Sequence, residues 1–124
     1  MFLVEEMEKY NIDVCGICET HLTGLNTEII KEWLLVNLGM DDIHRYGVGL
    51  LLSPRARASL MSYEAISERI LKARLYTKQA KITIIVACAP TEDAEDDAKD
   101  SFYEKLQNVT DGVPRYDLKL VIGD

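Results

Sequence analysis

Apolar and polar positions alternate along the chain in patterns that predict strands. Residues 12–18 form a short, almost continuous apolar run, which is typical of a strand covered on both faces. Residues 32–36 and 46–53 are two further strand candidates, and in the first of them Trp33 and Leu35 are expected in the core. Residues 68–78 alternate as a half-exposed strand does. Residues 81–90 follow after a short polar turn, so we expect these two segments to pair as a hairpin.

Helical segments flank these strands. Residues 3–10 space their apolar side chains three and four apart, which indicates a short helix. Acidic residues begin the segment 92–109, where a helix macrodipole favours negative charge. Its predicted buried stripe consists of Phe102, Tyr103, Leu106 and Val109. The apolar run 118–122 predicts a buried strand that leads to Gly123 and Asp124. The pattern predicts one α/β unit with about six strands and two or three helices.

Composition and charge narrow the class of protein. The chain has 124 residues, 48% of them hydrophobic, which suffices for one domain with a core. The net charge of −7 argues against general nucleic-acid binding, but seven acids and two lysines in 92–105 account for −5 of it. The basic segment 53–58 is expected in a loop or at a strand edge. We see no signal peptide or membrane-spanning run, so we expect an intracellular protein, nuclear or cytoplasmic and not secreted.

Two predicted buried strands end in a carboxylate, at Glu19 and at Asp124. Ligands of α/β proteins gather at the carboxyl ends of strands. Two carboxylates on neighbouring strand ends would suit a divalent ion, most readily Mg²⁺, which could stabilise charge on a phosphoryl group. The alternative is that both acids simply cap strands where the chain meets water. His21, just after Glu19, is either a base or phosphate contact or an ordinary loop histidine.

The three cysteines raise the question of a zinc or redox site. Cys15 and Cys18 form a C-x-x-C motif inside a predicted strand, and positions three apart in a strand point to opposite faces. They therefore cannot share an ion or a disulfide while the strand is intact. His21 and Cys88 could complete a zinc set, but the spacing matches no common site. We expect reduced thiols. The chain also lacks the glycine-rich elbow of serine hydrolases and a phosphate-binding glycine loop.

The order of five segments resembles a known family. "IDVCGICETHLTG", "HRYGVGLLLS", "SERILKARLYTK", "KITIIVACAPTEDAEDDAKDSFYEKLQNV" and "KLVIGD" look like the endonuclease/exonuclease/phosphatase superfamily, in particular the endonuclease domain of non-long-terminal-repeat retrotransposons. The resemblance runs from about Met7 to Asp124. It implies a four-layered α/β sandwich that cleaves DNA phosphodiester bonds with Mg²⁺ or Mn²⁺. It also implies possible fusion to a reverse transcriptase.

The resemblance assigns roles to individual residues. Glu19 matches the family's metal-binding glutamate, and Asp124 matches the aspartate that positions or activates the attacking water. His21 and Cys88 are weaker candidates for substrate contact. Cys88 stands where the family has a tyrosine, and a thiol cannot replace the phenol.

The chain also departs from the family's pattern. It lacks the family's asparagine-bearing first strand and its C-terminal half with an aspartate–histidine pair. We therefore expect 1–124 to be a single incomplete domain, a partial sandwich whose lone sheet leaves an apolar face bare and prone to self-association.

Three functions follow from these expectations. The first is a metal-dependent endonuclease domain, inactive as this fragment because catalytic groups that act as a unit lose activity together. The second is a non-catalytic remnant or domesticated interaction module. The third is a phosphatase of the same superfamily. DNA is the expected partner of the intact domain, and no membrane partner is expected.

Overall fold

A computed structural model describes residues 2–18, 24–40, 43–90 and 94–123 of the chain. Three helices and eight strands follow one another in these ranges. The helices are α1 (Phe2–Lys9), α2 (Pro54–Ala58) and α3 (Asp96–Asp111). The strands are β1 (Val14–Cys18), β2 (Gly24–Ile30), β3 (Trp33–Met40), β4 (Ile43–Leu52), β5 (Leu60–Ser67), β6 (Ile70–Tyr76), β7 (Lys81–Ala87) and β8 (Leu118–Gly123).

The strands form two four-stranded sheets. The first sheet has the order β1-β4-β3-β2 and is antiparallel throughout. The second sheet has the order β5-β6-β7-β8, in which β7 and β8 are parallel and joined through α3. The predicted hairpin is confirmed, since β6 pairs with β7 from Ile70↔Ala87 to Tyr76↔Lys81. Both sheets supply strands to one unit, so the fold is an α/β sandwich.

Three hydrophobic clusters hold four layers together. The central cluster lies between the sheets and joins Val36, Val48 and Leu50 of the first sheet to Leu71 and Val86 of the second. The other two clusters lie on the outer faces, because each sheet has a second apolar face that a helix covers. The layers are therefore α1, the first sheet, the second sheet and α3, as the predicted sandwich requires.

The helix on each outer face buries a narrow apolar stripe. Val4 and Met7 of α1 are buried against Trp33 and Leu35, which confirms that Trp33 belongs to the core. Phe102 of α3 is buried against the second sheet. Tyr103 was expected beside it, but that side chain is 58% exposed. It follows Phe102 by one position, about 100° around the helix, and therefore points away from the sheet.

Several expectations about the architecture are wrong. A second sheet covers the inner face of the first, so the prediction of a lone sheet with a bare apolar face does not hold. The described residues form eight strands, against the prediction of about six. The basic segment 53–58 is neither loop nor strand edge, because residues 54–58 form α2. Ser53 caps this helix, since its hydroxyl accepts a hydrogen bond from the Ala56 amide at 3.1 Å.

The outer edge of the second sheet is apolar and exposed. Within the described residues β8 pairs with β7 alone, and Leu118, Leu120 and Val121 are 60%, 46% and 47% exposed. The prediction of a strand at 118–122 is confirmed, but the prediction that it is buried is wrong, because no further strand covers its outer edge in the described residues. Exposed apolar edge strands favour pairing between chains. Self-association therefore stays a prediction, now assigned to β8.

Candidate functional site

Three strand ends meet at one end of the sandwich, which we call the β1–β8 end. β1 ends at Cys18, and the parallel strands β7 and β8 end side by side at Ala87 and Gly123. Cys18 is bonded to Cys88, the residue directly after Ala87. Cys18 and Gly123 are the residues that immediately precede Glu19 and Asp124 in the sequence. The structure thus brings together the strand ends that lead to the two candidate carboxylates.

The predicted site residues divide into two groups. Glu19, His21 and Asp124 lie outside the described residues, so their assignment stays a prediction. Cys88 is described and is 93% buried behind its bridge to Cys18. The described part of the chain contains no group of three histidine, cysteine, aspartate or glutamate side chains that could hold a metal ion. The predicted metal ligand Glu19 lies outside these residues, so the metal site stays a prediction.

The β1–β8 end is packed too closely for larger residues at two glycines. A Cβ on Gly16 would lie 2.9 Å from Ile122 Cγ2 and 3.0 Å from Val86 Cγ1, so β1 sits directly against the second sheet. A Cβ on Gly123 would lie 2.6 Å from the Ala87 carbonyl oxygen, which is a backbone atom and cannot turn away. Gly123 therefore allows the close approach of β8 to β7 just before Asp124.

The disulfide between Cys18 and Cys88 corrects the expectation of three reduced thiols. The two Cα atoms are 5.7 Å apart, although 70 positions separate the residues in the sequence. Cys18 lies on the face of β1 that packs into the central cluster, and Cys88 extends from β7 into the same cluster. Stacking of the two sheets creates this pair, and neither strand's pattern reveals it. A bridged Cys88 has no thiol hydrogen to donate to a substrate.

Arg69 supports the backbone around Cys88. The Cys88 amide donates to the Arg69 carbonyl oxygen at 2.9 Å. In return the Arg69 guanidinium donates from Nη1 to the carbonyl oxygens of Cys88 and Ala89, at 3.3 and 3.4 Å. A fixed positive charge thus lies beside the bridged cysteine.

Cys15 is the free cysteine of the three. Its side chain packs with Trp33 and Leu35 in the α1 cluster, on the opposite face of β1 from Cys18. The expectation that Cys15 and Cys18 point to opposite faces is therefore confirmed. Burial raises the pKa of the Cys15 thiol. A raised pKa keeps the thiol protonated and unreactive.

A buried polar cluster that the sequence did not predict anchors the start of β8. The side chain of Asp117 is 2% exposed, and its carboxylate accepts hydrogen bonds from Arg74 Nε and Nη2, both at 2.8 Å, and from Thr83 Oγ1 at 2.7 Å. The hydrogen bond from Arg74, followed by that from Thr83, holds the pKa of Asp117 below its usual range despite burial. The residue before β8 is therefore tied to β6 and β7.

A cavity of about 410 Å³ lies at the opposite end of β1 from the β1–β8 end. Asn11, Lys31 and Glu32 line it, and each has a positive φ, at 57°, 49° and 72°. Lys31 is also paired with Glu5 at 2.7 Å. The cavity is lined by charges of both signs, and Cys88, the described member of the predicted site, does not border it.

Comparison with known proteins finds similarity to craniofacial development protein 2. No family model matches the chain. In the described residues no helix is long and apolar enough to cross a membrane. Craniofacial development protein 2 of Bos taurus is 32% identical over 120 residues, and that of Tragulus javanicus is 30% identical over 120 residues. Each alignment covers 97% of this chain but only 20% and 21% of the relative, so the chain is similar to about one fifth of each craniofacial development protein 2.

Proposed function

We propose that the chain is a segment of the endonuclease/exonuclease/phosphatase type, of retrotransposon origin, that no longer cleaves phosphodiesters and serves as a non-catalytic interaction module. The Cys18–Cys88 bridge is the observation that carries this proposal. By resemblance, the family uses a tyrosine at the position of Cys88. A phenol can donate a hydrogen bond to a phosphate, whereas a disulfide sulfur has no hydrogen to give.

The similarity to craniofacial development protein 2 supports this proposal. The name of these relatives refers to development and to no nuclease, and both align with 97% of this chain. A sandwich that has kept its core while its reactive end has changed is suited to binding through surfaces. Fold and function are separable in this way, because function depends on the residues of a site and not on the scaffold.

A metal-dependent endonuclease is the second candidate, and the convergence of strand ends supports it. Cys18 and Gly123 lie at the same end of the sandwich, so Glu19 and Asp124 follow from neighbouring points. Glu19 would hold Mg²⁺ or Mn²⁺, and Asp124 would orient the attacking water. The ion would supply positive charge to a phosphoryl group as it is transferred. DNA would be the substrate, and the parent protein would carry a reverse transcriptase.

Nicking of supercoiled plasmid by the purified chain, with Mg²⁺ and separately with Mn²⁺, distinguishes the two candidates. We expect no nicking above that of a heat-inactivated sample. If the chain does nick plasmid, Glu19→Gln should abolish the activity and the matched exposed change Glu68→Gln should leave it intact. That result would reject the non-catalytic proposal and establish the endonuclease. Release of phosphate from a phosphoinositide, without plasmid nicking, would favour the third candidate function, a phosphatase of the same superfamily.

A further inference from the structure

The Cys18–Cys88 bridge ties β1, an edge strand of the first sheet, to the second sheet. β1 pairs with β4 alone among the described strands, so its other edge has no strand partner there. The bridge joins the final residue of β1 to the residue that follows β7. When the bridge is closed, the end of β1 cannot move away from β7. When it is open, that end is held by packing and by its pairing with β4.

The structure allows Cys18 and Cys88 only each other as partners. Cys15, the remaining cysteine of the chain, lies on the opposite face of β1 and packs against α1. It cannot reach either sulfur without disruption of the strand. The pair therefore has two states, a closed disulfide and an open dithiol, with no internal exchange to a third cysteine.

The two bridged residues differ in exposure, which favours attack at Cys18. Cys88 is 7% exposed, whereas Cys18 at the strand end is half-buried. A thiolate of a small dithiol attacks Cys18 Sγ, the Cys18–Cys88 bond breaks, and Cys88 leaves as a thiolate and then takes up a proton. The second thiol of the reductant attacks the mixed disulfide. This releases Cys18 as a thiol and converts the dithiol to its own disulfide.

We propose that Cys18 and Cys88 form a reversible thiol–disulfide switch that sets how firmly the end of β1 is held against the second sheet. Its co-reactant is a small dithiol or, in the closing direction, the corresponding disulfide. The switch acts at the strand end from which residues 19–23 continue. It goes beyond the proposed function, because it operates whether or not the chain binds a metal or cleaves a substrate.

Hydrogen exchange on the oxidised and the dithiothreitol-treated chain tests the switch. Thiol titration should find one free thiol before treatment and three after it. We expect amide exchange in residues 16–18 to become about tenfold faster or more on reduction, since a local opening that the bridge had blocked becomes accessible. Exchange in β3 should not change. Removal of dithiothreitol and addition of oxidised dithiothreitol should restore the slow rate.

Cysteine variants provide the controls. The double change Cys18→Ser with Cys88→Ser should exchange as the reduced chain does and ignore dithiothreitol, whereas Cys15→Ser should respond as the unaltered chain does. Three free thiols in the untreated chain, or unchanged exchange in residues 16–18 after reduction, would overturn the proposal. If the double variant does not fold, the response of the unaltered chain to dithiothreitol decides the question alone.

Discussion

Arg74 and Asp117 form a two-point ion pair across the second sheet. Nε of Arg74 lies 2.8 Å from one carboxylate oxygen of Asp117, and Nη2 lies 2.8 Å from the other. Arg74 belongs to β6 and Asp117 directly precedes β8, so the pair spans β7. The fork of a guanidinium matches a carboxylate in this way and a lysine does not. The pair thus sets where β8 begins.

The pair makes stability depend on pH in the acidic range. Because the pKa of Asp117 is lowered on folding, its contribution is complete above the unfolded value of 3.8 and is lost as pH falls through the lower folded value. Asp117→Asn should lower the free energy of unfolding at neutral pH, and the difference from the unaltered chain should shrink below pH 3.8. Urea unfolding at several pH values measures this.

The exposed change Glu104→Gln removes the same charge from α3 and serves as the control. A difference between Asp117→Asn and the unaltered chain that stays constant below pH 3.8 would contradict the assigned pairing.

Gly16 tests how tightly β1 packs on the second sheet. Gly16→Ala places a Cβ within 3.0 Å of Ile122 and Val86 side chains, so we expect a loss of roughly 1–3 kcal/mol of unfolding free energy from overpacking. Gly112→Ala is the matched control, because its nearest atom is 3.4 Å away and its φ is −82°. The buried Trp33, the single tryptophan, reports unfolding by fluorescence. Equal stability of the two variants would mean that β1 is not closely packed.

The turn between β2 and β3 is open to stabilisation. Ile30 pairs with Trp33, and both intervening residues, Lys31 and Glu32, have positive φ. Such two-residue turns favour glycine, and a left-handed backbone costs a side-chain-bearing residue roughly 1–2 kcal/mol. Glu32→Gly should therefore raise the free energy of unfolding by about 1 kcal/mol and leave the Lys31–Glu5 ion pair in place.

Glu68→Gly is the control for that change. Glu68 and Arg69 form the two-residue turn between the paired residues Ser67 and Ile70, but neither has a positive φ. Glycine there only adds freedom to the unfolded chain, so stability should fall by a few tenths of a kcal/mol to about 1 kcal/mol. A loss of stability in both variants would show that the first turn is not left-handed.

Reduction of the Cys18–Cys88 bond should also lower global stability. The bond closes a loop between residues 70 apart, and disulfides over long loops typically contribute about 2–4 kcal/mol. Urea unfolding with and without dithiothreitol should show this loss in the unaltered chain and in Cys15→Ser. If the double variant, with Cys18→Ala and Cys88→Ala, unfolds at the same urea concentration as the oxidised chain, the bond contributes nothing to stability.

Strong hydrophobic signals allowed most central elements to be predicted from the sequence. The strands that were missed, β2 and β5, are both edge strands. β5 is largely exposed, with four consecutive exposed residues, so it lacks the alternation by which the β6–β7 hairpin was recognised. Edge position alone does not hide a strand, because β1 and β8 are also edge strands and their apolar runs predicted them.

A local sequence pattern cannot show which residues of the two sheets contact each other. The period of two in a strand correctly placed Cys15 and Cys18 on opposite faces. Which residue meets Cys18 depends on how the sheets stack, so Cys88 could not be identified as its partner. The same holds for Arg74 and Asp117, which lie 43 positions apart. For Glu19, His21 and Asp124, the sequence-based assignment remains a prediction.

The pairing of β1 has a consequence for the order of folding. The strand pairs β2–β3, β3–β4, β5–β6 and β6–β7 are neighbours in the sequence, whereas Val14 of β1 pairs with Leu52 at the end of β4. Contacts between distant residues form late because a long loop must close first. The pairing of β8 with β7 also joins distant residues, such as Ile82 and Leu118, so we expect β1 and β8 to dock after the other strands. Oxidation of Cys18 with Cys88 during refolding would then mark the moment when the two sheets have come together.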